Sequence, residues 1–131
     1  MIYLDSAALV KLVRLEAATR ELVGWLNQRP GIPLICSSLA EVEVTRAIRR
    51  VAPEALPAVS ATLARLYRLE IDAPVRAAAA ALAEPDLRTL DAIHIATAVS
   101  VGADLQAFVS YDQRLLRTAG ELGLPVLSPG A

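Results

Sequence analysis

MIYLDSAALVKLVR (1–14) holds three apolar residues, an aspartate and then a run with helical spacing. IYL (2–4) does not alternate with polar residues, so it reads as a strand buried on both faces. Asp5 ends it, and SAALVKLVR turns into a helix. AFVSYDQRLLRTAGEL (107–122) has the same order: a strand over 107–111, Asp112, then a helix from Gln113. A strand that feeds directly into a helix is the unit of a parallel sheet.

The stretch between these two units fits that plan. A helix over 16–28 points Leu22, Val23, Trp25 and Leu26 inward, and RPGIP (29–33) forms a loop. LIC (34–36) is a second buried strand. Ser37 and Ser38 offer an N-cap to a helix through about Val51, with Glu41 placed to complete a capping box with Ser38. Pro53 and Pro57 punctuate a helix to about Tyr67, with Val59, Leu63 and Leu66 on one face. LEI (69–71) is a third strand. VRAAAAALA follows Pro74 as a helix that stops near Pro85, Thr89 caps another, and PVLS (125–128) is a last short strand. The fold class is therefore α/β, with helices on both faces of a mostly parallel sheet and one domain over residues 1–131.

Composition narrows the function classes. Hydrophobic residues at 55% against 21% charged exclude a disordered chain, and 4% aromatic residues require a core of Ala, Leu, Val and Ile. A net charge of −1 excludes a broad basic field as the means of holding nucleic acid, though not a nuclease that works through a cation. The single cysteine, Cys36, lies in apolar PLICSS and is expected to be a buried thiol in a reducing compartment. No basic, apolar leader precedes Asp5, and the run near 92–103 is interrupted by His94 and too short to span a membrane. A soluble, cytoplasmic protein is expected.

Ligands of an open parallel sheet bind at the carboxyl ends of its strands. Asp5 and Asp112 each follow a strand directly. Glu43 lies in the first two turns of the helix after the second strand, and Asp91 in the first turn of its own helix, LRTLDAIHIATA (87–98). Singly, each has an ordinary use: a strand-end turn for Asp5, a surface pair with Arg46 for Glu43, a helix-dipole partner for Asp91, a cap for Asp112. Gathered on one rim they would repel and raise one another's pKa unless a divalent cation neutralised them. Oxygen-only ligands favour Mg2+ or Mn2+ over Zn2+. Glu41 lies about 200° from Glu43 around the helix, so only one of the two can face the rim, and the capping role fits Glu41 better. His94 has no second His or nearby Cys for a zinc site and is expected to be a packed or hydrogen-bonding residue. Arg46 and Arg50 share Glu43's side and are candidate contacts for phosphate or an acidic partner.

MIYLDSAALVK, SSLAEVEVTRA, LRTLDAIHIATA and FVSYDQRL, taken together and in this order, resemble the PIN-domain ribonucleases, most closely the VapC toxins of type II toxin–antitoxin pairs. The resemblance covers essentially the whole chain, and Val44-Thr45 departs from its more usual Leu-Leu without touching an acid. It implies a three-layer α/β/α PIN-like fold and a metal-dependent endoribonuclease. It further implies that Asp5, Glu43 and Asp91 coordinate Mg2+ or Mn2+, with Asp112 as the fourth acid and Ser6 and Ser110 supporting. The partners it implies are an RNA substrate, a second copy of the chain and a cognate VapB-like antitoxin. The helices around Leu22–Leu26 and Leu56–Tyr67 offer surfaces for those contacts. The alternative is a PIN-like module that binds RNA or protein without cutting. A phosphoacceptor signalling domain is excluded, because Ser6 follows Asp5 where that design needs a second acid, and Lys11 is the only lysine.

Overall fold

A computed structural model describes residues 1–131. Five strands, β1 (Ile2–Leu4), β2 (Leu34–Ser37), β3 (Tyr67–Leu69), β4 (Ala107–Val109) and β5 (Val126–Leu127), form one sheet in the order β3-β2-β1-β4-β5. Every pairing is parallel. Seven α-helices join them: α1 (Ser6–Val13), α2 (Thr19–Asn27), α3 (Ala40–Val51), α4 (Leu56–Leu63), α5 (Ala73–Ala81), α6 (Thr89–Val101) and α7 (Gln113–Glu121). The order of the strands reverses at β1, so the crevice at the carboxyl ends of β1 and β4 is the topological switch point where such sheets bind ligands.

Alternation along the strands builds two cores. Ile2, Leu4, Cys36, Ala107 and Val109 face one layer, packing with Leu9, Leu22, Val44, Ile48, Val59 and Leu63 of α1 to α4. Tyr3, Ile35 and Phe108 face the other, against Ile95 and Ala98 of α6 and Leu115 and Ala119 of α7. Register aligns Ile35, Tyr3 and Phe108 across three strands. The Tyr3 and Phe108 rings stack with centroids 5.2 Å apart and planes 2° from parallel, worth about 0.5–1.5 kcal/mol beyond their buried area. The result is a three-layer α/β/α arrangement.

Several boundaries differ from those read in the sequence. α2 starts at Thr19 and not at Glu16, because Ala18 takes a left-handed backbone (φ 70°) and the Glu16 N–H is bound by Thr19 Oγ1. α4 ends at Leu63, well before Tyr67, which is taken by the edge strand. β3 covers 67–69 and not 69–71: Tyr67 and Leu69 pair with Ile35 and Ser37, and Asp72 then leaves the sheet to cap α5 through the Val75 N–H at 3.0 Å. β4 stops at Val109 and not at Tyr111, since Ser110 turns into the hydrogen bonds described below.

Two expected helix caps do not form. The Ser38 N–H is drawn to Leu69 O at the edge of the sheet (2.8 Å), so α3 begins at Ala40 without a side-chain cap. Ser37 Oγ instead accepts the Leu39 N–H, and Glu41 turns to Arg68 at 3.6 Å. Thr89 is the first helical residue of α6 and not its cap, because the Ala92 N–H already bonds to Arg88 O. The expected contact surfaces also shrink. Leu22 has 0% exposure and Val59, Leu63 and Leu66 lie in the core, which leaves Val23 and Tyr67 as the exposed large apolar side chains of those two stretches. No helix is long and apolar enough to cross a membrane.

Candidate active site

Asp5 leaves β1 at the switch point, with its backbone N–H on Val109 O of β4. Its side chain is 3% exposed. Oδ1 accepts the Ala8 N–H at 2.9 Å, which makes Asp5 the N-cap of α1, and the Ser110 hydroxyl donates to Oδ2 in a short bond. The same Ser110 oxygen accepts the Asp112 N–H at 3.1 Å. One hydroxyl therefore ties the ends of β1 and β4 together. Asp112 caps α7, Oδ1 taking the N–H groups of Arg114 and Leu115.

Glu43, in the first turn of α3, is held from two sides. Ser6 Oγ donates to its Oε1 at 2.6 Å, and His94 Nε2 lies 2.6 Å from the same oxygen. His94 is buried at 2% exposure, and its Nδ1 is 2.6 Å from the Tyr3 hydroxyl. A neutral imidazole with its proton on Nε2 satisfies both contacts: it donates to the carboxylate and accepts from the phenol. The relay Tyr3–His94–Glu43 thus runs from the core under the sheet to the rim. Tyr3 had no functional signal in the sequence; its place directly under the histidine follows from the pairing of strands.

Asp91 sits in the first turn of α6 and makes no side-chain hydrogen bond to the protein. The charge of Asp112 reaches Asp5 and Asp91, and that of Glu43 reaches Asp91. Burial pushes Asp5 up to about 6, against the downward pulls of the Ser110 hydroxyl, His94 and the Ala8 N–H, while the charge of Asp112 adds to the rise. Burial also raises Asp91, followed by the charge of Asp112 and, more weakly, that of Glu43. Burial pushes Glu43 upward too, but the hydrogen bonds from His94 and Ser6 outweigh it and hold the carboxyl below its usual range. Asp5, Asp91 and Asp112 are in no ion pair. Arg46 and Arg50 lie exposed on α3, beyond Glu43 and also unpaired. Cys36 is buried and its thiol is pushed up to about 11 by burial, which makes it unreactive.

The donor set suits a hard divalent cation: carboxylate oxygens only, one of them on a buried aspartate that is in no ion pair. The acids are neighbours and not a closed cage, since no three Asp, Glu, His or Cys side chains stand at ligand spacing. Mutual repulsion opposes closer approach without an ion.

The raised Asp5 pKa sets a measurable pH dependence. The folded chain holds this proton up to about pH 6, whereas an unfolded aspartate loses it near the ordinary value of 3.8. Stability from this group is full below about pH 4 and lost as pH rises through 6, a loss on the order of 3 kcal/mol. Glu43 has the opposite sign, and its effect is confined below the ordinary value of 4.5. Thermal melts in chelator are expected to fall between about pH 4.5 and pH 6.5. Added Mn2+ should restore stability at the upper end of that range and do little at the lower. A melting temperature flat across this interval would contradict the buried-carboxylate account.

Comparison with known proteins agrees with this fold. The PIN domain family model matches residues 2–121. The chain is 54% identical to Ribonuclease VapC35 of Mycobacterium tuberculosis, covering 99% of this chain and 98% of that protein. It is 41% identical to Ribonuclease VapC46 of the same species, over 98% and 97% of the two chains. Among solved structures, Mycobacterium tuberculosis VapC20, described as a sarcin-ricin loop cleaving toxin, superposes with a TM-score of 0.72 at 15% identity, over 95% of this chain and 96% of that one. VapBC2 from Rickettsia felis, bound to a DNA fragment from its promoter, gives 0.69 at 13% identity, over 98% and 99%. At those identities the structural matches show the fold.

Proposed function

The chain belongs to the PIN-domain family, among its VapC-type ribonuclease toxins, and from that premise we propose that it is a Mg2+- or Mn2+-dependent endoribonuclease whose ion is held by Asp5, Glu43, Asp91 and Asp112. The observation that carries this reading is the rim itself. Four carboxylates come from four separate segments, the charge of Asp112 raises both Asp5 and Asp91, and three of the four are in no ion pair.

A bound divalent cation supplies Lewis acidity, neutralising the carboxylates and polarising water and phosphate oxygens. The protein supplies placement. Asp5 is fixed by α1 and Ser110, so its position is set before any ligand arrives. Glu43 is kept ionised and oriented through Oε1 by Ser6 and His94, and Oε2 has no protein partner. That free oxygen is suited to take a proton from the water whose oxygen attacks phosphorus as the ester bond to the leaving ribose oxygen breaks. Ser6 and Ser110 act here as positioning residues.

The VapBC2 structure holds an antitoxin together with its toxin, and we propose a VapB-like partner for this chain. Arg46 and Arg50, exposed and unpaired on the far turns of α3, are proposed contacts for that partner or for an RNA phosphate. Dimerisation through exposed apolar residues such as Val23 and Tyr67 belongs to the same proposal.

The test is a cleavage assay on mixed single-stranded RNAs. Cutting is expected with Mg2+ or Mn2+, abolished by chelator and restored when Mn2+ is added back in excess. Cleavage that persists unchanged in chelator contradicts the metal-dependent reading. Binding of RNA without any cutting in either metal would favour the inactive binding module.

A further inference from the structure

Beside Asp91 lies a cleft of about 280 Å³ between the chain segment 84–88 and α7. Its lining includes Glu84, Arg88, Asp91, Arg114, Arg117 and Thr118. Arg114, Arg117 and Thr118 follow one another at i, i+3 and i+4 on α7 and so share a face. Arg88 precedes α6 directly, less than one turn before Asp91.

The three guanidiniums are in no close pair, although the charge of Arg88 acts on Asp91 from a distance. Glu84, Asp86, Asp91 and Glu121 line the same cleft, yet none of the arginines is in an ion pair or donates a side-chain hydrogen bond to the protein. Arginine carries a rigid fork of donors matched to phosphate oxygens, and three such forks left open around one cleft point to anionic oxygens.

We propose that this cleft seats the RNA nucleotides flanking the scissile bond, with Arg88, Arg114 and Arg117 on backbone phosphates. The proposal rests on the ribonuclease reading above and adds where the strand runs and what fixes it. It also accounts for RNA binding by a chain with a net charge of −1: a few aimed forks replace a broad basic field. The sequence-level candidates, Arg46 and Arg50, lie on α3, outside this cleft.

The test is the binding of a labelled, unstructured RNA measured by anisotropy in chelator, so that no cutting is needed. Against the wild type, Arg114→Gln/Arg117→Gln is expected to bind about tenfold or more weakly. Its plot of log affinity against log salt should flatten by about 1.4, two contacts at about 0.7 each. Arg65→Gln serves as control, because Arg65 precedes β3 and lies at the opposite rim of the sheet; it should change neither quantity. Unchanged affinity and slope in the double arginine variant overturn the proposal, as does an equal loss in the Arg65 control. An acidic peptide that binds where RNA does not also overturns it, since the cleft would then serve a protein partner. The two readings fail separately. Wild type that binds RNA through these arginines but never cuts it sinks the ribonuclease, while wild type that cuts with KM unmoved by the double variant sinks the cleft.

Discussion

Asp91→Asn is expected to lower RNA cleavage by about a thousandfold or more, because it removes a proposed ligand of the ion that steadies charge on the scissile phosphate. The variant should fold. The asparagine is nearly isosteric, the Asp91 side chain makes no hydrogen bond to the protein, and α6 begins on backbone bonds from Arg88. Burial and the Asp112 charge already disfavour the ionised form of Asp91, so the metal-free melting temperature should hold or rise while the stabilisation by Mn2+ shrinks. Opposite movements of activity and metal-free stability are what separate a ligand from a structural residue. Cleavage within about threefold of wild type would remove Asp91 from the site, since a lost ion contact costs far more than that.

His94→Ala is expected to have the second largest effect, on stability and on the pH profile together. It empties the space under Glu43 and leaves the Tyr3 hydroxyl, at 0% exposure, without a partner. The cavity and the orphaned donor together cost about 3 kcal/mol or more. Without the His94 bond, burial dominates Glu43 and its pKa rises. The acid limb of the cleavage profile should then move to higher pH, a shift that loss of packing alone does not produce. His94→Gln provides the control: its amide can reach Glu43 in place of Nε2, so the acid limb should stay near its wild-type position although the Tyr3 contact is lost. Adding Tyr3→Phe to His94→Gln should recover stability by removing the unpaired hydroxyl. If His94→Ala and His94→Gln have the same pH profile, His94 does not tune Glu43.

Much of this was legible in the chain because strands that are apolar on both faces announce a parallel sheet. IYL before Asp5 and AFV before Asp112 fixed the two strands that border the switch point, and Glu43 and Asp91 followed from their place in first turns. Glu41 was set apart from Glu43 by helical angle and by a capping role that does not form; in the fold Glu41 meets Arg68. What failed was local chemistry overruled by tertiary contacts. Ser38 has the residue type of a cap, but its N–H is claimed by β3; LEI has the look of a strand, but an edge strand does not need an apolar run, and the exposed Tyr67-Arg68 took the pairing instead. His94 was read as a packed or hydrogen-bonding residue without its partners, because Tyr3 and Glu43 lie 91 and 51 residues away in sequence. Arg114 and Arg117 gave no signal beyond an amphipathic helix. Their meaning depends on the 84–88 segment folding across from them.

The central claim is that the rim at the ends of β1 and β4 is a divalent-cation site. Crystals soaked in Mn2+ and measured at its absorption edge test it directly. The account predicts an anomalous peak with carboxylate oxygens of Asp5 and Asp91 at bonding distance, and Glu43 or Asp112 drawn toward it directly or through water. A rim with no peak, its four acids still apart while Mn2+ binds elsewhere on the surface, would contradict it.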